Sequence, residues 1–299
     1  MDRRTLLGGI AAASVATPAL AGKRPYRVIS CEEAFSIPEI VEATRTQFGG
    51  KPSMKSGPIA GPFMPNLLDI GAGRIAGMDA AGVDVQILAV TAPGVQNFPP
   101  DQGVALAALA NDRLAAAIKA HPTRFAGLTT LAPQAPAEAV KELERGVRTL
   151  GLKGGMINSH TGNLYLDDKR FWPILEAAEA LDVPLYLHPR DPAEPMAAQV
   201  MVPGFNVGWG YGVETGTHVV RMIAAGVFDR FPKLRFAIGH GGETLPYILD
   251  RIDNRYQWES NLFSLSRLRK RPSDYIRENF VITTSGMNYP VPVHAAIEA

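Results

Sequence analysis

Seven short apolar runs, separated by segments of helical periodicity, leave few folds open to this 299-residue chain. The runs are Tyr26–Cys31, Val83–Val90, Phe125–Leu131, Leu152–Ile157, Val183–Leu187, Leu234–Ile238 and Phe280–Thr284. They are aliphatic or β-branched without polar alternation, the pattern of strands covered on both faces. Between them, "GVALAALANDRLAAAIKAHP" places Leu106, Leu109, Leu114 and Ile118 at near-helical spacing. The segments "PAEAVKELERGVRTLG" and "DDKRFWPILEAAEALD" each run to a turn signal before the next strand. Such alternation predicts βαβ units and a parallel sheet. No glycine-rich phosphate loop marks a dinucleotide-binding half. Polar residues tip the choice between an open sheet and a closed barrel. Glu32, Thr91, Asn158 with His160, His188, His240, and Thr284 with Ser285 all lie at or just beyond the C-terminal end of a run. In a (β/α)8 barrel that end carries the chemistry. The expected fold is therefore α/β, of TIM-barrel type, with seven strands present and the eighth missing.

Composition narrows the partners. The net charge of +1 offers no footprint for nucleic acid or another polyanion. With Cys31 as the single cysteine, no intrachain disulfide framework is possible. The opening "MDRRTLLGGIAAASVATPALAG" has a charged start at Arg3 and Arg4, an apolar stretch from Leu6 to Val15, and the small-x-small site Ala19-Leu20-Ala21. Residues 1–21 are thus expected to be a twin-arginine-like signal peptide, giving a periplasmic or secreted protein. The apolar stretch is too short for a stable membrane anchor. Residues 22–299 suit a single barrel domain, a fold that commonly fills about 250 residues.

Glu32, His188 and His240 end the first, fifth and sixth runs, and ligands drawn from several strand ends suit a metal centre at a barrel mouth. Glu243 follows His240 after a glycine pair. His160 follows the fourth run, open to either a pocket or a structural role. His121 sits at a helix C-terminus, where it complements the dipole, and His218 is expected to pack inside a helix. His294 receives no role. Arg74, Arg190 and Arg251 are candidates to meet substrate charge. "GFNVGWGYGVETG" is expected to be a flexible loop whose aromatic residues cover an aromatic ligand.

The segments "CEEAFSIPE", "RIAGMDAAGVDVQILAVTAPGVQ", "LDDKRFWPILEAAEALDVPLYLHPRDP", "GHGGETLPYILDRIDNRY" and "NFVITTSGM" resemble the non-oxidative aromatic-acid decarboxylases of the amidohydrolase superfamily. The nearest types are the γ-resorcylate, 2,3-dihydroxybenzoate and 5-carboxyvanillate decarboxylases, with aminocarboxymuconate-semialdehyde decarboxylase related to them. The resemblance runs from about Tyr26 to the last residue. It implies Glu32 and His188 as metal ligands, with Ala34 where hydrolytic members have a second strand-one histidine. It implies His240 with Glu243 as catalytic residues, and Arg251 as an arginine that reaches a neighbouring subunit's site. Arg74 and His160 are expected to contact substrate. One divalent metal, Mn or Zn, a small aromatic acid substrate and a homo-oligomer complete the expectation. The resemblance also implies a metal aspartate after an eighth strand. The nearest acid past the seventh run is Glu298, so the chain reads as cut short and aggregation-prone. Two other readings stay open: a metal-dependent hydrolase of an ester, lactone or amide, and a binding protein that has lost its chemistry.

Overall fold

In the computed structural model the protein is described over residues 25–49, 63–265, 267–287 and 289–299. The expected signal peptide lies outside these residues. Eight short strands follow in chain order: β1 Ile29–Phe35, β2 Val85–Val90, β3 Phe125–Gly127, β4 Thr129–Thr130, β5 Gly155–Asn158, β6 Leu185–His188, β7 Phe236–Ile238 and β8 Phe280–Ile282. β3 and β4 are halves of one pass. Leu128 N–H reaches back to Leu88 O at 3.0 Å, and Thr129 N–H reaches on to Gly154 O at 2.8 Å. The pass joins a β1-β2-β3 sheet to a β4-β5-β6-β7-β8 sheet, with every pair parallel. The strand passes coincide with the seven apolar runs. Among the described residues, the outer edges of β1 and β8 have no strand partner.

Boundaries differ from the sequence reading at β1, which runs on to Phe35 rather than ending at Cys31. Tyr26 is 65% exposed, whereas Phe35 is fully buried, so burial draws the strand toward its C-terminal side. Proline opens the helices Pro38–Phe48, Pro100–Ala120, Pro136–Arg148, Pro272–Asn279 and Pro290–Glu298. Its missing N–H costs nothing at a helix start and its fixed φ already suits the helix.

Two apolar layers result. Alternate strand residues such as Leu185, Leu187, Phe236 and Ile238 pack outward against the helices. Residues of the opposite phase, among them Ala89, Met156 and Tyr186, fill the barrel interior together with Leu128. The period of two along each strand produces this division. It also sends Tyr186 and His188, two residues apart on β6, to the same inner face. No helix among the described residues is long and apolar enough to cross a membrane.

Candidate active site

Glu32 occupies a bulge. On β1 the register passes from Ser30↔Gln86 to Glu33↔Leu88, so one extra residue is fitted between the pairs. Bulges re-aim side chains beside functional sites. Here the Glu32 carboxylate meets groups from β6 and from the ends of β7 and β8, while Glu33 turns to Ser30 and, at 3.9 Å, to Arg74. Glu32 Oε1 lies 3.2 Å from His188 Nε2 and 3.2 Å from His240 Nε2. Its Oε2 accepts hydrogen bonds from the Tyr186 hydroxyl, at 2.6 Å, and from the Ser285 hydroxyl.

His240 begins a single turn, His240–Glu243, that runs left-handed. His240, Gly241, Gly242, Glu243 and Thr244 all have φ between 52° and 82°. For the residues with a Cβ, each such conformation costs roughly 1–2 kcal/mol. Backbone bonds from Gly241 N–H to Thr283 O (2.9 Å) and Gly242 N–H to Gly239 O (2.8 Å) hold the turn. Its product is a close pair: Glu243 Oε1 lies 2.6 Å from His240 Nδ1. Behind it stands the helix Tyr211–Ala224, with glycines at the two closest points of contact. A Cβ on Gly212 would lie 2.9 Å from Glu243 Oε2, and one on Gly216 would lie 3.2 Å from Glu243 O.

Electrostatics follow from this packing. Burial opposes ionisation of Glu32, but the hydrogen bonds and charge of His188 and His240 override it and hold the carboxyl well below the usual carboxylate range. Burial likewise disfavours a charged His240. The Glu243 and Glu32 carboxylates outweigh it and push that imidazole up to about 10.

The donors suit a divalent cation. His188 Nδ1 donates to Pro189 O at 2.7 Å and its Nε2 meets Glu32 Oε1 at 3.2 Å, so a cation taken up there would replace the proton between those two atoms. Donors about 2.1 Å from one ion stand about 3.0 Å apart at a right angle and about 3.4 Å apart at a tetrahedral one, bracketing the spacing here. Among the described residues, no group of three His, Cys, Asp or Glu side chains is spaced to hold a metal ion as it stands. Both imidazoles are drawn in upon one carboxylate oxygen, Glu32 Oε1.

The other sequence-predicted residues fall elsewhere. The Arg74 guanidinium bonds the carbonyls of Ala34, Asn66 and Asp69 and the side chain of Gln86. Arg190 is 4% exposed and is held by Asn97, Asp191 and His160 O. His160 lines, with Arg190, Asp191 and Asn163, a separate cleft of about 830 Å³ beyond β5 and β6. Its Nε2 bonds Asp191 O at 2.9 Å, its Nδ1 is buried without a partner, and burial together with Arg190 pushes it down to about 4. Arg251 is exposed on the helix Leu249–Leu262, and Glu298 is exposed at the end of the last helix. The expected aromatic loop is instead a π-helical turn, Asn206–Gly210, running into the helix Tyr211–Ala224. Two of its glycines, Gly212 and Gly216, which read as loop signals, are the ones that pack closely on Glu243. Tyr186 was missed, although its two-residue spacing from His188 in "LYLH" carried the signal.

The chain matches the amidohydrolase family over residues 64–299. It is 40% identical over 229 residues to a γ-resorcylate decarboxylase of Polaromonas sp., covering 74% of this chain and 70% of that protein. The structure of a 5-carboxyvanillate decarboxylase from Sphingomonas paucimobilis superposes with a TM-score of 0.86 at 42% identity, over 91% of this chain and 84% of that one. A 5-carboxyvanillate decarboxylase from Novosphingobium aromaticivorans, complexed with manganese and 4-hydroxy-3-methoxy-5-nitrobenzoic acid, gives 0.85 at 37% identity, over 93% and 84%.

Proposed function

The chain belongs to the amidohydrolase family, and on that premise we propose that it is a metal-dependent decarboxylase of hydroxylated aromatic carboxylic acids. The observation that carries the reading is the convergence of His188 Nε2 and His240 Nε2 on Glu32 Oε1, each at 3.2 Å, at the C-terminal end of the parallel strands. Glu32 and His188 would hold one divalent cation, with His240 beside it. When bound, such an ion orients the substrate's oxygens and stabilises the charge that develops on them. The related structure with manganese and a hydroxylated nitrobenzoic acid supports Mn²⁺ and an aromatic acid. So does Ala34, whose side chain adds no further imidazole to the site.

His240 supplies the acid. Its Nδ1–H is held by Glu243, so the imidazolium carries a second proton on Nε2, directed into the same mouth as His188. Delivery of a proton to the ring carbon bearing the carboxylate breaks aromaticity. The electrons of the carbon–carboxylate bond then return to the ring, leaving an aromatic C–H and CO₂. No oxidant or reductant is needed. Substrates with a ring hydroxyl beside the carboxylate fit this scheme, as in the acids for which the γ-resorcylate and 5-carboxyvanillate decarboxylases are named.

The test is to incubate Mn²⁺-loaded protein with 2,6-dihydroxybenzoate and with 5-carboxyvanillate, following CO₂ and the ring product by liquid chromatography. His188→Ala should lose bound Mn²⁺. His240→Ala should keep the metal and lose about 10²-fold or more in turnover, the usual contribution of a positioned acid. If the metal-loaded protein releases no CO₂ from either acid yet hydrolyses a lactone or ester, the hydrolase reading replaces this one.

A further inference from the structure

The better-held oxygen of Glu32 is the one turned away from the imidazoles. Oε2 accepts from the Tyr186 hydroxyl at 2.6 Å and from the Ser285 hydroxyl. The Thr283 hydroxyl ties these two together, 3.2 Å from Tyr186 Oη and 3.0 Å from Ser285 Oγ. Tyr186 is 3% exposed and reaches the barrel interior from β6, whereas Ser285 and Thr283 follow β8. The third wall is Gly239, just past β7. A Cβ there would come within 2.5 Å of Glu32 Oε2, 3.0 Å of Ser285 Oγ and 3.2 Å of Tyr186 Oη. Three strand ends therefore close on one oxygen, and one of them carries no side chain at the point of approach.

Resting on the metal-binding reading above, we infer that Tyr186, Ser285 and Gly239 form a clamp that fixes Glu32 Oε2 and presents Oε1 alone to a divalent cation. The physical basis is preorganisation. A carboxylate free to turn about its last torsion must be ordered when an ion arrives, and it competes between one-oxygen and two-oxygen binding. A carboxylate whose second oxygen is already occupied by two hydroxyl donors does neither. Partners of this kind typically change metal affinity by about 10–100-fold when removed. The three residues are positioning residues, acting through Glu32.

The experiment measures Mn²⁺ dissociation constants of the purified full chain by chelator competition, with metal-free stability followed in parallel by urea unfolding. Tyr186→Phe keeps the buried ring and removes only the hydroxyl. Ser285→Ala removes the other donor, and Gly239→Ala keeps both donors but crowds the carboxylate. Each should raise the Kd by about tenfold or more, and for Ser285→Ala the metal-free urea midpoint should stay at its wild-type value. A merely structural role for Tyr186 would move the midpoint and leave the Kd in place. Unchanged dissociation constants in both Tyr186→Phe and Ser285→Ala overturn the clamp. So does a wild-type protein that takes up no Mn²⁺, which overturns the metal reading with it. Because the readout is metal binding alone, weakened binding in a protein that decarboxylates nothing upholds the clamp and sinks only the proposed reaction.

Discussion

Glu214 shows what one buried side chain does to the molecule's response to pH. It is fully buried, and so is His218, the histidine expected to pack inside a helix. Leu166 N–H donates to His218 Nε2 at 2.9 Å, so the ring proton is on Nδ1, which faces Ser159 Oγ at 3.0 Å. The Ser159 hydroxyl in turn donates to Glu214 Oε1 at 2.5 Å. Burial, only partly offset by the Ser159 hydrogen bond and Arg190, pushes the Glu214 carboxyl up from 4.5 to about 8. The folded chain therefore keeps this proton over a range where the unfolded chain has released it. The stabilisation is fully present below the unfolded value, falls as pH rises by at most about 1.4 kcal/mol per pH unit, and is gone once pH passes about 8. Glu214→Gln stays neutral throughout. Urea unfolding from pH 5 to 8.5 should show wild type losing roughly 1–4 kcal/mol relative to the variant. Parallel curves would mean that Glu214 is ionised in the fold.

At the scale of elements, the contact between the helix Tyr211–Ala224 and the left-handed turn His240–Glu243 fixes the catalytic pair. Gly212 faces Glu243 Oε2, and a Cβ there would stand at 2.9 Å. Alanine is better than glycine in a helix interior by about 1 kcal/mol, so Gly212→Ala should leave the helix intact. The added methyl should still displace Glu243 from His240. Misplacement by about 1 Å can cost on the order of 10²-fold in rate, so turnover should fall about 10–100-fold with little change in urea midpoint. Wild-type turnover in Gly212→Ala would show that the pair tolerates the shift. The helix was also where sequence reasoning failed. "GFNVGWGYGVETG" reads as a loop because glycine lowers helix propensity, yet here glycine answers to a neighbour far away in the chain.

The whole molecule carries an apolar groove among its outer helices. A groove of about 510 Å³ runs between the helices Tyr211–Ala224, Leu249–Leu262 and Pro272–Asn279, lined by Val220, Leu249, Ile252, Leu265 and Ile276 among others. Leu265 is exposed at this groove, and Trp258, Leu262 and Phe263 are exposed on or just beyond the helix that bears Arg251. Apolar surface gathered in this way marks an association site more often than a solvated face. We expect light scattering to give a mass of at least two chains, and Trp258→Asp with Leu262→Asp to shift it toward one. A wild-type monomer at micromolar concentration would remove the expectation of a homo-oligomer.

How much was legible beforehand follows from the range of the forces involved. Strand and helix alternation and the placing of His188 and His240 at strand ends were written in the chain, whereas Glu32, expected to close the first strand, lies within β1. Local periodicity and burial on two faces leave a pattern within a window of roughly 11–18 residues. The sequence alone therefore determined a parallel α/β barrel with its polar groups at one end. It could not show that Arg74 spends its guanidinium on backbone carbonyls, or that a bulge turns Glu32 inward. Nor could it show that Tyr186 and Ser285, 154 and 253 residues from Glu32 in the chain, bond the same carboxylate oxygen. Those outcomes depend on which buried groups must find partners once the strands close around them, because an unpaired polar group in a packed interior costs more than its bond returns. Only the tertiary structure brings the partners within reach and decides among them.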